Sequence, residues 1–220
     1  AYESGCRCFL AERPLELAED ASVTVVSSTR RALAVIAQRF YGEPAASLRL
    51  IGITGTKGKS TTAELIRSGL EAAGRRTGII GTCGIGYGGC LRPSANTTPD
   101  ALELARTLAD MRDAGVETVV MEVSSQAYKL DRVYGLHFAE GVFTNLSPDH
   151  IGPTEHADME EYISSKARLF AASALSVLNA DDAQCGRMAH SATGDVIGYG
   201  IDSACALRAE DIRETSVCGN

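Results

Sequence analysis

No stretch of this sequence approaches the roughly 18 consecutive apolar residues that a bilayer-spanning helix needs, and the first ten residues lack the plan of a signal peptide. A cytoplasmic protein with no membrane insertion is therefore expected. A basic surplus is missing as well. The formal net charge of -7 argues against a nucleic-acid partner, although a few glycine turns and lysines can still bind small anions against the overall sign. The seven cysteines, at positions 6, 8, 83, 90, 185, 205 and 218, contain no C-x-x-C pair, so nothing points to zinc or dithiol chemistry and reduced, structural thiols are expected. Internal repeats and low-complexity tracts are also absent. What remains is an ordinary globular composition, 45% hydrophobic and 22% charged, in 220 residues, enough for one large domain or one domain and part of another.

The stretch Leu50 to Thr62 organises the rest. An apolar segment (Leu48, Leu50, Ile51, Ile53) runs into a glycine-rich turn, and a helical pattern opens with Lys59, Ser60 and Thr61. Such a turn lets several N–H groups point inward, the helix N-terminus adds partial positive charge, and a lysine reaches the outer phosphates of a nucleotide. Ser60 can place its hydroxyl on the accompanying magnesium. The match to G-x-x-x-x-G-K-[ST] is a variant one. Ile53 occupies the first glycine position, flanked by Gly52 and Gly55.

Along the chain, residues 6–12 and 22–28 read as two short β segments. Thr29 to Tyr41 reads as a helix with Leu33, Ile36, Ala37 and Phe40 on one face, stopped by Gly42 and Pro44. A domain boundary is expected between Gly42 and Ser47. From Leu48 onward strands alternate with helices, the signature of a parallel sheet covered by helices. Ile66, Gly69, Leu70 and Ala73 form the face of the first helix; Thr77 to Gly81 is a strand; Gly84 to Gly89 reads as a flexible turn. Asn96 to Asp100 opens a helix lined by Ala101, Leu104, Ala105 and Leu108, and Thr118 to Glu122 is an apolar strand ending in a carboxylate. A strand from Phe138 to Thr144 leads into Asn145 to His150, and strand ends of this kind are where open α/β sheets bind ligands. Beyond it come the end of a helix at Ala167 to Phe170 and strands at Ser176 to Leu178 and Asp195 to Gly198.

Glu122 can hold magnesium beside the Ser60 hydroxyl, or be a surface glutamate at a strand end. His150 follows the next strand, where it is either a second metal ligand or solvated; His137 and His156 have no such context and are read as surface residues. Lys166 falls on the inward stripe of Ile163, Ala167 and Phe170. It either snorkels or is a desolvated amine able to add carbon dioxide and become a carbamate. Asn96, Thr97, Thr98, Ser124, Ser125 and Arg132 supply neutral donors and one fixed cation, with caps and turn bonds or surface exposure as the alternative.

Taken in order, GITGTKGKSTT, NTTPD, MEVSSQA, LDRV, FTNLSPDH and EEYISSKARLF, spanning Ile51 to Phe170, resemble the Mur ligase family, in the branch that adds a third amino acid. The resemblance implies an ATP-dependent ligase of peptidoglycan precursor synthesis, joining L-lysine or meso-diaminopimelate to UDP-MurNAc-L-Ala-D-Glu through an acyl phosphate. Its partners would be that UDP-MurNAc-dipeptide and an amino acid, and the protein would act as a monomer. Carried over by motif, Gly55, Thr56, Lys57, Gly58, Lys59, Ser60 and Thr61 would bind ATP, with Lys59 steadying the transferred group. Two Mg2+ ions are implied: Ser60 and Glu122 would hold one, and His150 with a carbamylated Lys166 the other. Thr97, Thr98, Ser124 and Arg132, and more weakly Asn96, would contact the UDP-muramoyl-dipeptide. Gln126 departs from the histidine of many relatives. The family's plan makes residues 1–46 the end of an N-terminal, UDP-substrate-binding α/β domain and 47–220 an incomplete central ATP-binding domain, with a P-loop and a mostly parallel sheet flanked by helices. The chain is thus expected to be a fragment, inactive alone. Folylpolyglutamate synthase shares the loop but not the NTTPD and EVSSQA pair, and a nucleotide-binding module without turnover is the other alternative.

Overall fold

The computed structural model describes residues 1–149, 151–152 and 156–213. Within them, β3 (Arg49–Thr54) is the middle of a nine-stranded sheet, flanked by β7 (Thr118–Glu122) and β8 (Phe138–Phe143). Outside β7 lie β4 (Thr77–Gly81), β5 (Gly84–Tyr87) and β6 (Cys90–Arg92). Outside β8 lie β9 (Ser173–Asn179), β10 (Asp195–Gly200) and β11 (Leu207–Arg208). All pairings are parallel except the β4–β5 and β5–β6 hairpin rungs. The central strands are buried on both faces, as parallel sheets require, and each side chain's face follows from the period of two. Leu50, Val119 and Met121 pack on one side with Leu104, Leu108, Leu169 and Phe170. Ile51, Ile53 and Val120 pack on the other with Ala63.

The helices supplying those layers are α2 (Lys59–Ala72), α3 (Ala101–Asp113) and α5 (Met159–Ala171), with the short α4 (Ser125–Lys129) and α6 (Cys185–Ser191). Asp100 caps α3 by accepting from the N–H groups of Leu102 and Glu103 at 3.1 and 2.9 Å, and Asp158 caps α5 through Glu161 N–H at 2.8 Å. Close packing of α5 needs Gly52 on β3, since a Cβ there would lie 2.8 Å from Leu169. No described helix is long and apolar enough to cross a membrane. At the start of the chain, β1 (Cys8–Ala11) and β2 (Ser22–Val25) form a separate parallel pair, followed by α1 (Thr29–Phe40).

Three expectations are corrected. In α1 the buried residues are Ala34 and Ala37, the small-residue side that allows close approach to α3, whereas Leu33, Ile36 and Phe40 are exposed. In α2, Gly69 and Ala73 face outward; Ala63, Ile66 and Leu70 make the contact, the stripe being rotated toward the loop end. Gly84 to Gly89 is no flexible turn but strand β5 plus a two-residue hairpin, Gly88 (φ 59) and Gly89 (φ 79), whose backbone suits a primed turn. The glycines of β5 answer to crowding: a Cβ on Gly84 would lie 2.4 Å from the Arg92 carbonyl oxygen.

Candidate active site

The chain leaves β3 at Thr54 and turns through Gly55 (φ 151), where a Cβ would sit 1.9 Å from Thr144 Oγ1. Gly58 (φ 81) then starts α2 as its N-cap, so the first-turn N–H groups of the helix have no carbonyl partner within it. Lys59 opens that helix with its amine folded back, donating to the carbonyl oxygens of Gly55 and Thr56 at 3.0 Å each. Burial holds its pKa below the ordinary lysine value, against the opposing charges of Glu122 and Asp149.

Glu122 closes β7, in register with Ile53, and is buried. Its Oε1 accepts from Ser60 Oγ and from the Thr82 N–H, both at 2.8 Å, and its Oε2 lies 3.4 Å from Thr82 Oγ1. Gly81 makes room for this carboxylate, because a Cβ there would be 2.3 Å from Oε1. A hydroxyl and a carboxylate this close beside a phosphate-type loop fit magnesium, a hard cation that takes few protein oxygens and draws the rest from phosphate and water. Among the described residues no group of three or more His, Cys, Asp or Glu could form a self-sufficient metal cage.

Lys166 points inward from α5 as its place on the stripe suggests. It is 2% exposed, donates to the Gly55 carbonyl at 2.8 Å and lies 4.5 Å from the Tyr162 ring centroid. Burial first, then the nearby Lys59 charge, push its pKa down to about 7, with Asp149 pulling the other way. The amine is thus part neutral at physiological pH.

The donors of the Asn-Thr-Thr turn sit beside Glu122. Thr98 Oγ1 donates to the Glu122 carbonyl at 2.9 Å and accepts the Ser124 N–H at 3.1 Å, while Arg132 holds the Thr98 carbonyl at 2.8 Å. Thr97 Oγ1 is 3.1 Å from Thr82 Oγ1. Thr98 is fully buried, so its hydroxyl braces the turn, leaving Thr97 nearer the opening. Asn96 is exposed; its carbonyl accepts from the Ser94 hydroxyl within the same turn. His150 lies outside the described residues.

His156, read as a surface residue, is fully buried; its ring is 5.3 Å from that of Tyr162 and Nδ1 is 3.8 Å from Glu161. It packs beneath the start of α5, a position its local sequence does not betray. His137 is exposed as expected. Sequence reasoning passed over Thr82 and Tyr162, and placed Thr144 and Asn145 at a ligand-binding strand end without giving either a role of its own. Thr82, Thr144 and Asn145 follow strand ends, so the rule that singled out Glu122 applies to them too; Tyr162, whose hydroxyl is 3.1 Å from Thr56 Oγ1, carried no such signal.

A parallel strand, a glycine loop with left-handed turns, a helix N-terminus and an inward lysine define a phosphate-loop, nucleotide-binding α/β domain. Comparison with known proteins narrows the class. The Mur ligase middle domain matches residues 53–220, and the chain belongs to the Mur ligase family. It is 43% identical to the UDP-N-acetylmuramoyl-L-alanyl-D-glutamate--2,6-diaminopimelate ligase of Halalkalibacterium halodurans over 98% of this chain and 45% of that protein. It is 40% identical to the enzyme of the same name from Clostridium botulinum, over 96% of this chain and 44% of that one. A solved structure of such a ligase superposes with a TM-score of 0.78 at 30% identity, covering 88% of this chain and 40% of that one. Folylpolyglutamate synthase from Mycobacterium tuberculosis, at 18% identity and a TM-score of 0.62, shares the fold. The chain thus spans a little under half the length of the curated relatives it matches.

Proposed function

We propose that this chain carries the nucleotide-binding and phosphoryl-transfer part of an ATP-dependent ligase that adds a third amino acid to UDP-MurNAc-L-Ala-D-Glu in the cytoplasm. The observation that carries this reading is a convergence. Lys59 and Lys166 meet on the Gly55 carbonyl, while Ser60, from the same loop, meets the buried carboxylate of Glu122. Residues 1–46 are taken as the end of a substrate-binding domain and 47–220 as the central ATP-binding domain. The relatives' names favour 2,6-diaminopimelate over L-lysine as the added amino acid.

In this reading the N–H groups of Gly58 to Thr61 receive the phosphates, and the Lys59 amine leaves its carbonyl partners to steady the γ-phosphoryl group. Ser60 and Glu122 would hold magnesium, which when bound would offset negative charge; the substrate carboxylate takes the γ-phosphoryl group as the acyl phosphate and ADP leaves. Thr97, Ser124 and Arg132, with Thr98 bracing them and Asn96 at the rim, orient the UDP-linked substrate. Lys166, as neutral amine, adds through its nitrogen to the carbon of carbon dioxide and releases one proton. The resulting carbamate would join His150 at a second magnesium. Nearly all of this is positioning and charge neutralisation, which is what phosphoryl transfer asks of a protein.

The test is ADP release by the full-length protein with UDP-MurNAc-dipeptide and either amino acid. Release should require the dipeptide and meso-diaminopimelate, and Lys59→Ala should lower kcat by about a thousandfold or more. Release that depends instead on a folate acceptor, or persists unchanged in the Lys59 variant, overturns the reading.

A further inference from the structure

The loop is held by its neighbour strand as much as by its own. Past the ends of β3 and β8 the parallel ladder continues: Thr144 N–H donates to the Thr54 carbonyl at 3.0 Å, and Thr56 N–H donates to the Asn145 carbonyl at 2.8 Å. The Asn145 carboxamide then adds one more rung from a side chain. Its Oδ1 accepts the Lys57 N–H at 3.0 Å and its Nδ2 donates to the Lys57 carbonyl, also at 3.0 Å. Thr144 Oγ1 donates to that same carbonyl at 2.7 Å. Asn145 is itself fixed, for Thr144 beside it is tied through its carbonyl to Asn179 Nδ2 at 2.8 Å on β9.

One consequence concerns which groups can meet a ligand. The N–H groups of Thr56 and Lys57 are spent inside the protein, so the donors left to meet a ligand on the helix side of the turn begin at Gly58 (φ 81), the N-cap of α2. An amide is the one neutral side chain able both to accept from an N–H and to donate to a C=O of the same residue at this reach.

We propose that Asn145 is a positioning residue of the nucleotide loop: by pairing with both main-chain groups of Lys57 it fixes the turn from which Gly58 to Thr61 present their N–H groups to phosphate. The inference rests on the nucleotide reading above and deepens it. Both ends of the Asn145 carboxamide are engaged by Lys57, and the side chain acts through that residue.

The experiment measures affinity for ATP and for a non-hydrolysable analogue, and KM for each substrate, in the full-length protein carrying Asn145→Ala, Thr144→Val or both. Asn145→Ala should weaken nucleotide binding and raise KM for ATP by about tenfold, as expected for losing two hydrogen bonds that orient a site. KM for the UDP-linked substrate should stay within about twofold, and melting without nucleotide should be little changed. Thr144→Val should act in the same direction but less, and the double variant should fall short of the product of the two, because both side chains hold one carbonyl. Unchanged nucleotide affinity in Asn145→Ala, or equal rises in both KM values, overturns the proposal while leaving the nucleotide reading intact. Failure of the unaltered protein to bind nucleotide better than Lys59→Ala overturns that reading and this proposal with it.

Discussion

Replacing Lys166 by methionine should stabilise the folded protein at neutral pH and flatten its dependence on pH. The amine is 2% exposed, and its pKa falls from 10.5 to about 7, through burial first and the Lys59 charge second. An unfolded chain therefore holds a proton on this lysine that the folded one has released, everywhere between those two values. Stability then rises with pH across that window, and the cost of the burial is greatest below about pH 7. The full gap corresponds to about 5 kcal/mol, and the part recovered between pH 7 and pH 9 to about 2 kcal/mol. Methionine keeps the length and apolar packing and gives up one hydrogen bond to the Gly55 carbonyl, which Lys59 still occupies. Urea unfolding in carbon-dioxide-free buffer at several pH values is the assay. The unaltered protein should gain about 2 kcal/mol over that range relative to the variant, which should be the more stable of the two at pH 7. Adding bicarbonate at pH 8 should raise stability, and add the mass of carbon dioxide, in the unaltered protein alone. Parallel stability curves would show that the amine is not desolvated, and the argument from burial would fail.

Gly55→Ala should cost about 3 kcal/mol of stability or more, read as a lowered melting temperature, because its φ of 151 and a Cβ 1.9 Å from Thr144 Oγ1 leave no room for a side chain. A melt within a degree of the unaltered protein would contradict that crowding. Glu122→Gln should retain nucleotide binding in the absence of metal but weaken the nucleotide-dependent binding of Mn2+, followed by paramagnetic resonance, by roughly a hundredfold. Undiminished Mn2+ binding would remove Glu122 from the metal site.

Much of this fold is legible because strands buried on both faces, such as Thr118–Glu122, leave continuous apolar runs, and because the loop that follows β3 has a recognised spacing. Lys166 was legible for a related reason: a lysine on an otherwise apolar helical stripe has few places to go. The failures share a cause. The α1 stripe of Leu33, Ile36, Ala37 and Phe40 obeys helical periodicity, yet only Ala37 of it is buried and the helix packs through Ala34 and Ala37, because closeness to α3 decided the contact and periodicity does not measure closeness. The hairpin at Gly84 to Cys90 was hidden by glycines that look flexible in isolation, although a neighbouring carbonyl demands Gly84 and positive φ angles favour Gly88 and Gly89. His156 is the same lesson in a polar residue, since nothing local records that Tyr162 and the start of α5 will cover it. Thr82 and Asn145 sit at strand ends in plain view, but their partners, Glu122 and Lys57, lie 40 and 88 residues away in the chain.

Two amines on one carbonyl oxygen are a poised arrangement. Lys59 and Lys166 both donate to Gly55 O, at 3.0 and 2.8 Å, and both are held below the ordinary lysine pKa by burial. Two ammonium groups so placed repel in a medium that screens poorly, so the deeper amine, Lys166, gives up its proton first. In the proposed reading, an anion entering beside Gly58 would give Lys59 a partner better than a carbonyl and leave Gly55 O to Lys166 alone. Converting Lys166 to an acid would then cost that last bond but place a negative group where a second cation can settle. In this way the loop's own carbonyl links the state of one lysine to the position of the other, and only three contacts, two at Gly55 and one at Thr56, have to break.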